Sequence, residues 1–260
     1  MSIQRYTPYN DVNQVLEILH ENAKAVLKEQ FFGMYLYGSF ATGDFNPKSS
    51  DIDFLVVTED ILPDGMISKL ESMHKQIWAS GLKWAAKLEG TYIPRDLIRR
   101  HNPNGHPCPT VNEGRFYVAG QGSDWIIQRH VICEYGVVLE GPDPKYLIDF
   151  VTPEEIQQSV RGVLKEWWFQ MPEDPTWLSE HGGEYHAFAV LTMCRALHTL
   201  QHGTIVSKSV AANWATVEFR DWSPLIEKAL ISQHDPQSGF LDKTLEFIRF
   251  TRRLVSEELT

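Results

Sequence analysis

Two aspartates one residue apart, Asp51 and Asp53, lie in the stretch LYGSFATGDFNPKSSDIDFLVV, residues 36–57. A glycine–serine pair, Gly38–Ser39, precedes them across a gap of eleven residues. On a strand the two carboxylates share one face, while Ile52 and Phe54 point the other way, toward a core. Like charges this close repel unless something positive sits between them. The usual solution is a divalent cation with oxygen ligands, typically Mg²⁺ carried in with substrate phosphates. The alternative is a solvent-facing edge strand whose aspartates have no task. Gly38 ends a strand and Ser39 starts a tight turn, which lets backbone N–H groups and a hydroxyl approach a phosphate. Metal-assisted phosphoryl transfer also needs a base near the attacking hydroxyl. Glu89, in KLEGTYI, is the candidate, because a charge between apolar strand neighbours is costly unless it is used. Its plainer reading is an exposed strand position.

Those residues need elements to hold them. Apolar residues at three-to-four spacing predict a helix over 10–30. MYLYG and DIDFLVVT read as strands, residues 67–80 as a helix, and residues 83–93 as a third strand with Gly90 as a bulge or close-approach point. Residues 100–123 are rich in Gly, Pro and Asn and read as a long surface loop, with a hairpin around RFYVAG as an option. A helix over 125–134 and the strand and turn GVVLEGPDP follow. This order predicts a small mixed sheet with helices packed on it. A boundary is expected near Thr152, where TPEE combines an N-cap, a first-turn proline and a capping-box glutamate. Beyond it only helices are expected, at 153–169, 184–202, 207–219, 222–232 and 238–257. Gly203 is placed to end one of them and Ser207 to cap the next. The fold class is α+β, with domains at 1–151 and 152–260.

The chain has 260 residues, 43% of them hydrophobic and 22% charged, which suits a soluble globular protein with one large domain or two ordinary ones. A net charge of -10 without a basic run argues against a nucleic-acid partner and favours a cationic small molecule. Three widely spaced cysteines fit neither a disulfide framework nor a four-cysteine zinc site. His101, His106 and Cys108 match no common zinc spacing either. The N-terminus does not read as a signal peptide, and no apolar run approaches the ~20 residues needed to cross a membrane. A cytoplasmic protein without membrane partners, acting as a monomer, is expected.

Gly38–Ser39 followed by Asp51-Ile52-Asp53 resembles the signature of the polymerase-beta-like nucleotidyltransferases. With LEGTYIP, VVLEGPDP, VLTMCRAL and GTIVSKSVAANWA in order, the chain resembles more closely the aminoglycoside adenylyltransferases that modify streptomycin and spectinomycin. The resemblance covers roughly residues 15 to 255. It implies a polymerase-beta-like nucleotidyltransferase domain followed by an all-α helical bundle, with ATP and Mg²⁺ in the cleft between them. AMP would move to a drug hydroxyl and pyrophosphate would leave. Carried over, Asp51 and Asp53 hold Mg²⁺, Ser39 and Ser50 contact the triphosphate, and Glu89 takes the proton from the acceptor. Arg195 and Lys208 reach the phosphates from the second domain. A cation at Arg195, within an apolar helix, needs an anionic partner. Lys208, near a helix start, sits where the dipole disfavours a cation and a triphosphate removes that penalty.

The sequence departs from the family pattern twice. The family carries a Trp in a GEW context after the third strand, where this chain reads VNEGRFYVAG. It carries an Asp in a GDERN context, where this chain reads GGEYHAF and offers Glu184, about one residue out of step. Both positions belong to drug recognition. The expected function is therefore an ATP- and Mg²⁺-dependent adenylyltransferase acting on a hydroxyl of a small polar acceptor, an aminoglycoside or aminocyclitol first. The alternatives are a protein hydroxyl or unknown metabolite as acceptor, or a nucleotide-binding module without transfer.

Overall fold

The computed structural model describes residues 6–47, 50–232 and 239–257. The chain divides into two compact units, Met1–Phe45 with Ser50–Phe150, and Asn46–Ser49 with Val151–Thr260.

The first unit begins with α1 (Asn10–Leu27), which buries Val12, Val15, Leu16, Leu19, Ala23 and Leu27 along one face. Next come β1 (Phe31–Leu36), α2 (Gly38–Thr42), β2 (Ile52–Thr58), α3 (Asp64–Ala79), β3 (Leu88–Pro94) and α4 (Arg95–Arg99). They are followed by β4 (Cys108–Asn112), β5 (Arg115–Ala119), α5 (Asp124–Tyr135) and β6 (Val137–Glu140). The strands form one sheet in the order β5-β4-β3-β2-β1-β6. Of its neighbouring pairs β2 and β3 are parallel and the others antiparallel. Parallel neighbours need a crossover, and α3 supplies it.

Both sheet faces are covered. Met34, Leu36, Ile52, Phe54, Val56 and Tyr92 pack in one cluster with the apolar sides of α1 and α3. Tyr35, Leu55, Val57 and Ile93 pack in another with Trp125 and Ile132 of α5. This explains the nearly continuous apolar run of β2.

The structure revises several expected elements. Asp51 stands just ahead of β2 rather than inside it. β3 starts at Leu88, because residues 85–87 form a short 3-10 turn. The Trp84 indole ahead of it donates to Asp11 at 2.8 Å and anchors that turn to α1. The expected long loop contains the β4–β5 hairpin, joined by Glu113 and Gly114 at φ 47 and 68. Positive φ at both central residues is the geometry that matches strand twist in a two-residue hairpin.

Gly90 is a close-approach point. A Cβ there would lie 2.3 Å from the Phe54 carbonyl oxygen and 2.6 Å from its ring. Backbone cannot swing aside as a flexible side chain can. Gly90→Ala is therefore expected to cost about 3 kcal/mol, a fall in Tm of roughly 6–12 °C. A thermal melt of the purified variant checks this, and an unchanged Tm refutes it.

The second unit contains α6 (Pro153–Glu166), α7 (Thr176–His181), α8 (Gly183–His202), α9 (Lys208–Glu218), α10 (Ser223–Ser232) and α11 (Leu241–Glu257). Thr152 and Glu155 form the expected capping box on α6. Gly203 ends α8 in the left-handed conformation, and Ser207 caps α9. α8 packs against α6, α7, α9, α10 and α11, so it is apolar around most of its circumference. The short helix α7 is an addition to the expected set. Asp174 accepts from the N–H and hydroxyl of Thr176 at its start. The helix expected from residue 238 is described from Leu241, and residue 238 itself lies outside the described residues.

Candidate active site

The Gly–Ser turn is tied to the aspartate strand by backbone. Tyr37 donates its N–H to the Asp53 carbonyl at 3.1 Å. Gly38 then takes φ +57, where a Cβ would lie 1.9 Å from Asp53 Oδ2. Glycine serves twice here, for the left-handed conformation and for the contact distance. Ser39 follows within α2, its Oγ buried and without a hydrogen-bond partner among the described residues. A buried hydroxyl left unpaired costs about 1–3 kcal/mol, a deficit that a ligand oxygen removes.

Asp53 lies in β2 directly beside Glu89 of β3 in the parallel register. Alternation puts both on the face that carries Leu55, Val57 and Ile93. Burial first, then the charges of Asp51, Asp53 and Glu113, push the Glu89 carboxyl up to about 8, with Lys87 opposing. The Tyr37 phenol is also held well above its ordinary value, by burial and then by Asp53, Glu89 and Asp124. Asp51 pairs with Lys87 at 3.0 Å. Both partners are substantially exposed, so this pair stabilises little and yields readily to a stronger cation. The structure thus brings Gly38, Ser39, Asp51, Asp53 and Glu89 into one neighbourhood. It adds Tyr37, Lys87, Glu113 and Asp124, none of which stands out in the sequence. The Glu-Gly turn signal at Glu113 and the position of Tyr37 beside Gly38 are the signals that could find two of them. Ser50 precedes Asp51 and is half-buried.

The donor set fits a magnesium–nucleotide complex. Among the described residues no three His, Cys, Asp or Glu side chains form a metal-ligating group. Mg²⁺ keeps water and phosphate oxygens and takes one or two carboxylates, which is what Asp51 and Asp53 offer. The Gly38 cradle and the unpaired Ser39 hydroxyl fit the phosphates.

Glu89 also sets a pH dependence. Its folded value near 8 lies above the ordinary carboxyl value of 4.5. Between those two values the folded protein binds a proton that the unfolded chain has released, so stability falls as pH rises through this window. The slope flattens above about pH 8. For a half-buried group this amounts to about 2 kcal/mol at most across the window. In metal-free protein Glu89→Gln is expected to remove most of this slope, read as Tm against pH from 5 to 8.5. Parallel curves for the two proteins refute the assignment.

In the second unit, Arg195 is half-buried in α8. Lys208 opens α9, with its Nζ 4.2 Å from the centroid of the Phe188 ring. Glu184 is exposed in the first turn of α8. All three cysteines are buried free thiols. No helix among the described residues is long and apolar enough to cross a membrane.

Family comparison adds a decisive observation. The model for the aminoglycoside adenylyltransferase C-terminal domain matches residues 147–255, and that for the nucleotidyltransferase domain matches residues 13–102. The two domains thus match, in order, the nucleotidyltransferase domain and the C-terminal domain of the aminoglycoside adenylyltransferases. A spectinomycin 9-adenylyltransferase of Campylobacter jejuni is 27% identical over 84% of this chain and 82% of its own. One of Enterococcus faecalis is 24% identical over 79% and 78%. A solved spectinomycin adenyltransferase, AAD(9) from Enterococcus with ATP and spectinomycin, superposes with a TM-score of 0.71. It covers 92% of this chain and 97% of its own at 19% identity, a likeness of fold. The resemblance read from the Gly–Ser and Asp-Ile-Asp motifs is borne out. This adenylyltransferase has the expected architecture, a nucleotidyltransferase sheet with helices followed by a helical region.

Proposed function

We propose that this adenylyltransferase moves AMP from ATP to a hydroxyl of an aminocyclitol or aminoglycoside, spectinomycin first. Mg²⁺ would be held at Asp51 and Asp53. The observation that carries the reading is the meeting of three carboxylates, Asp51, Asp53 and Glu89, beside a glycine cradle and an unpaired buried serine hydroxyl. The names of the relatives support the acceptor class, and the nucleotide in the solved relative supports ATP.

Glu89 takes the proton of the acceptor hydroxyl as its oxygen bonds to the α-phosphorus. The bond from that phosphorus to the β-phosphate oxygen breaks, and pyrophosphate carries off the electron pair. Burial and the neighbouring carboxylates raise the Glu89 pKa, which strengthens it as a base. Ser39 and Ser50 offer hydroxyls to the phosphates, and Arg195 and Lys208 offer the positive charge that phosphoryl transfer requires. Mg²⁺, when bound, neutralises phosphate charge and aligns the nucleotide. The acidic chain, at a net charge of -10, favours a cationic acceptor. Glu184 is assigned to that acceptor.

One observation favours a second acceptor class. The hairpin turn holds Glu113 and Gly114 in the region where the family pattern carries Trp, and VNEGRFYVAG holds no Trp, so the aromatic platform is missing. The test is pyrophosphate release from Mg²⁺-ATP across a panel of aminoglycosides that includes spectinomycin and streptomycin. Release with spectinomycin, lost in Asp53→Asn, supports the proposal. Silence across the panel with Mg²⁺-ATP still bound overturns the acceptor and leaves the nucleotide site.

A further inference from the structure

His198 and His202 lie four residues apart, near the C-terminal end of α8. Residues at this spacing sit one above the other on a helix. Their ring centroids are 4.5 Å apart, with the planes inclined at 47°. Trp214 of α9 closes the group, meeting both rings edge-on at 5.2 and 5.6 Å. Nothing in the adenylyl-transfer chemistry uses these two imidazoles.

His198 offers a ring nitrogen suited to a metal. Its Nδ1 is buried and has no partner among the described residues. With the proton of the neutral ring on Nε2, toward which the Thr204 backbone biases it, the Nδ1 lone pair is left available. Burial first, then neighbouring His202, hold His198 below the ordinary imidazole value. His202 is exposed. The carbonyl end of the 20-residue helix α8 adds a field that favours a cation.

We propose that His198 and His202 form a binding site for a divalent transition metal of borderline softness, Cu²⁺ ahead of Ni²⁺ and Zn²⁺, with water completing the coordination. Imidazole nitrogens select these ions over Mg²⁺, and the ranking follows the general affinity order of divalent metals. The site is independent of the carboxylates of the first unit and of the reaction proposed for them. It sits just before the Gly203–Ser207 turn that leads into Lys208.

Trp214 provides the readout, since bound Cu²⁺ quenches an adjacent indole. Chelator-stripped, full-length protein is titrated with Cu²⁺, and separately with Ni²⁺, in excess Mg²⁺. Indole fluorescence and calorimetry are followed together. The expected result is saturable 1:1 binding with quenching. Binding should be at least about tenfold weaker in His202→Ala and in His198→Gln, since losing a ligand costs no less than losing its hydrogen-bond support. His202 is exposed on the last turn, so the His202→Ala variant keeps the fold, and its Tm without metal verifies this. Copper binding of equal affinity in both variants overturns the proposal by placing the metal elsewhere. Absence of binding in the native protein overturns it too, and reduces the pair to packing against Trp214.

Discussion

Glu89→Gln is expected to slow adenylyl transfer by roughly 10²–10⁴-fold while leaving Mg²⁺-ATP affinity within a few-fold of the native value. Glutamine keeps the volume and one oxygen of the carboxylate but cannot take a proton. The residue lies beside Asp53 in the strand register, so a substitution that preserves shape preserves the sheet. Above about pH 8 it also removes one of three crowded negative charges, which leaves a metal–nucleotide complex no worse off. The loss should therefore fall on kcat rather than on nucleotide binding. Steady-state pyrophosphate release and ATP calorimetry on the same preparation check both halves. Full activity would end the case for Glu89 as the base. Loss of ATP binding would instead make it part of the nucleotide site.

Asp53→Asn should behave differently. Turnover is expected to fall about 10³-fold or more, because several kcal/mol of metal-dependent charge stabilisation go with it. Here nucleotide binding should weaken as well, and its dependence on Mg²⁺ should flatten. The fold should survive, because asparagine fits the space beside Gly38 as aspartate does. Stability in metal-free protein should rise slightly at pH 8, since one of the charges that push Glu89 upward has gone. Reduced activity with unchanged Mg²⁺ dependence would move the metal off Asp53. A collapse of Tm would make Asp53 a structural residue.

What is legible in the chain follows from how local each signal is. The Gly38–Ser39 and Asp51/Asp53 motifs are short-range patterns, and both read directly. So do the Thr152 capping box, the Gly203 stop and the Ser207 cap, where chemistry between near neighbours decides the outcome. The extent of β3 does not, because LKWAAKL carries apolar residues at strand-like spacing, yet Trp84 is held by Asp11 of a distant helix. The β4–β5 hairpin is only an option in the sequence because its turn is Glu-Gly rather than the usual Asn-Gly or Asp-Gly. Arg129 gives no sequence signal at all. It is 1% exposed and donates to the Ile98, Leu97 and Arg100 carbonyls and to Gln121, a knot across about thirty residues that no periodicity reveals. Lys87 and Asp124 are hidden for the same reason, since their place at the site depends on elements meeting in space, whereas Tyr37 and Glu113 carry the weaker hints of an adjoining Gly38 and a Glu-Gly turn.

The parallel pairing in the sheet also orders events in time. β2 and β3 run the same way, so their leading ends meet only after the chain has travelled the length of α3 and returned. Asp53 and Glu89 stay far apart through any hairpin-first collapse of β1 on β2 or of β4 on β5, both of which are local steps. Closing the longer loop is the slower step. On refolding, helical signal and hairpin pairing return before the carboxylates meet. The capacity to bind nucleotide is then among the last properties the first unit regains.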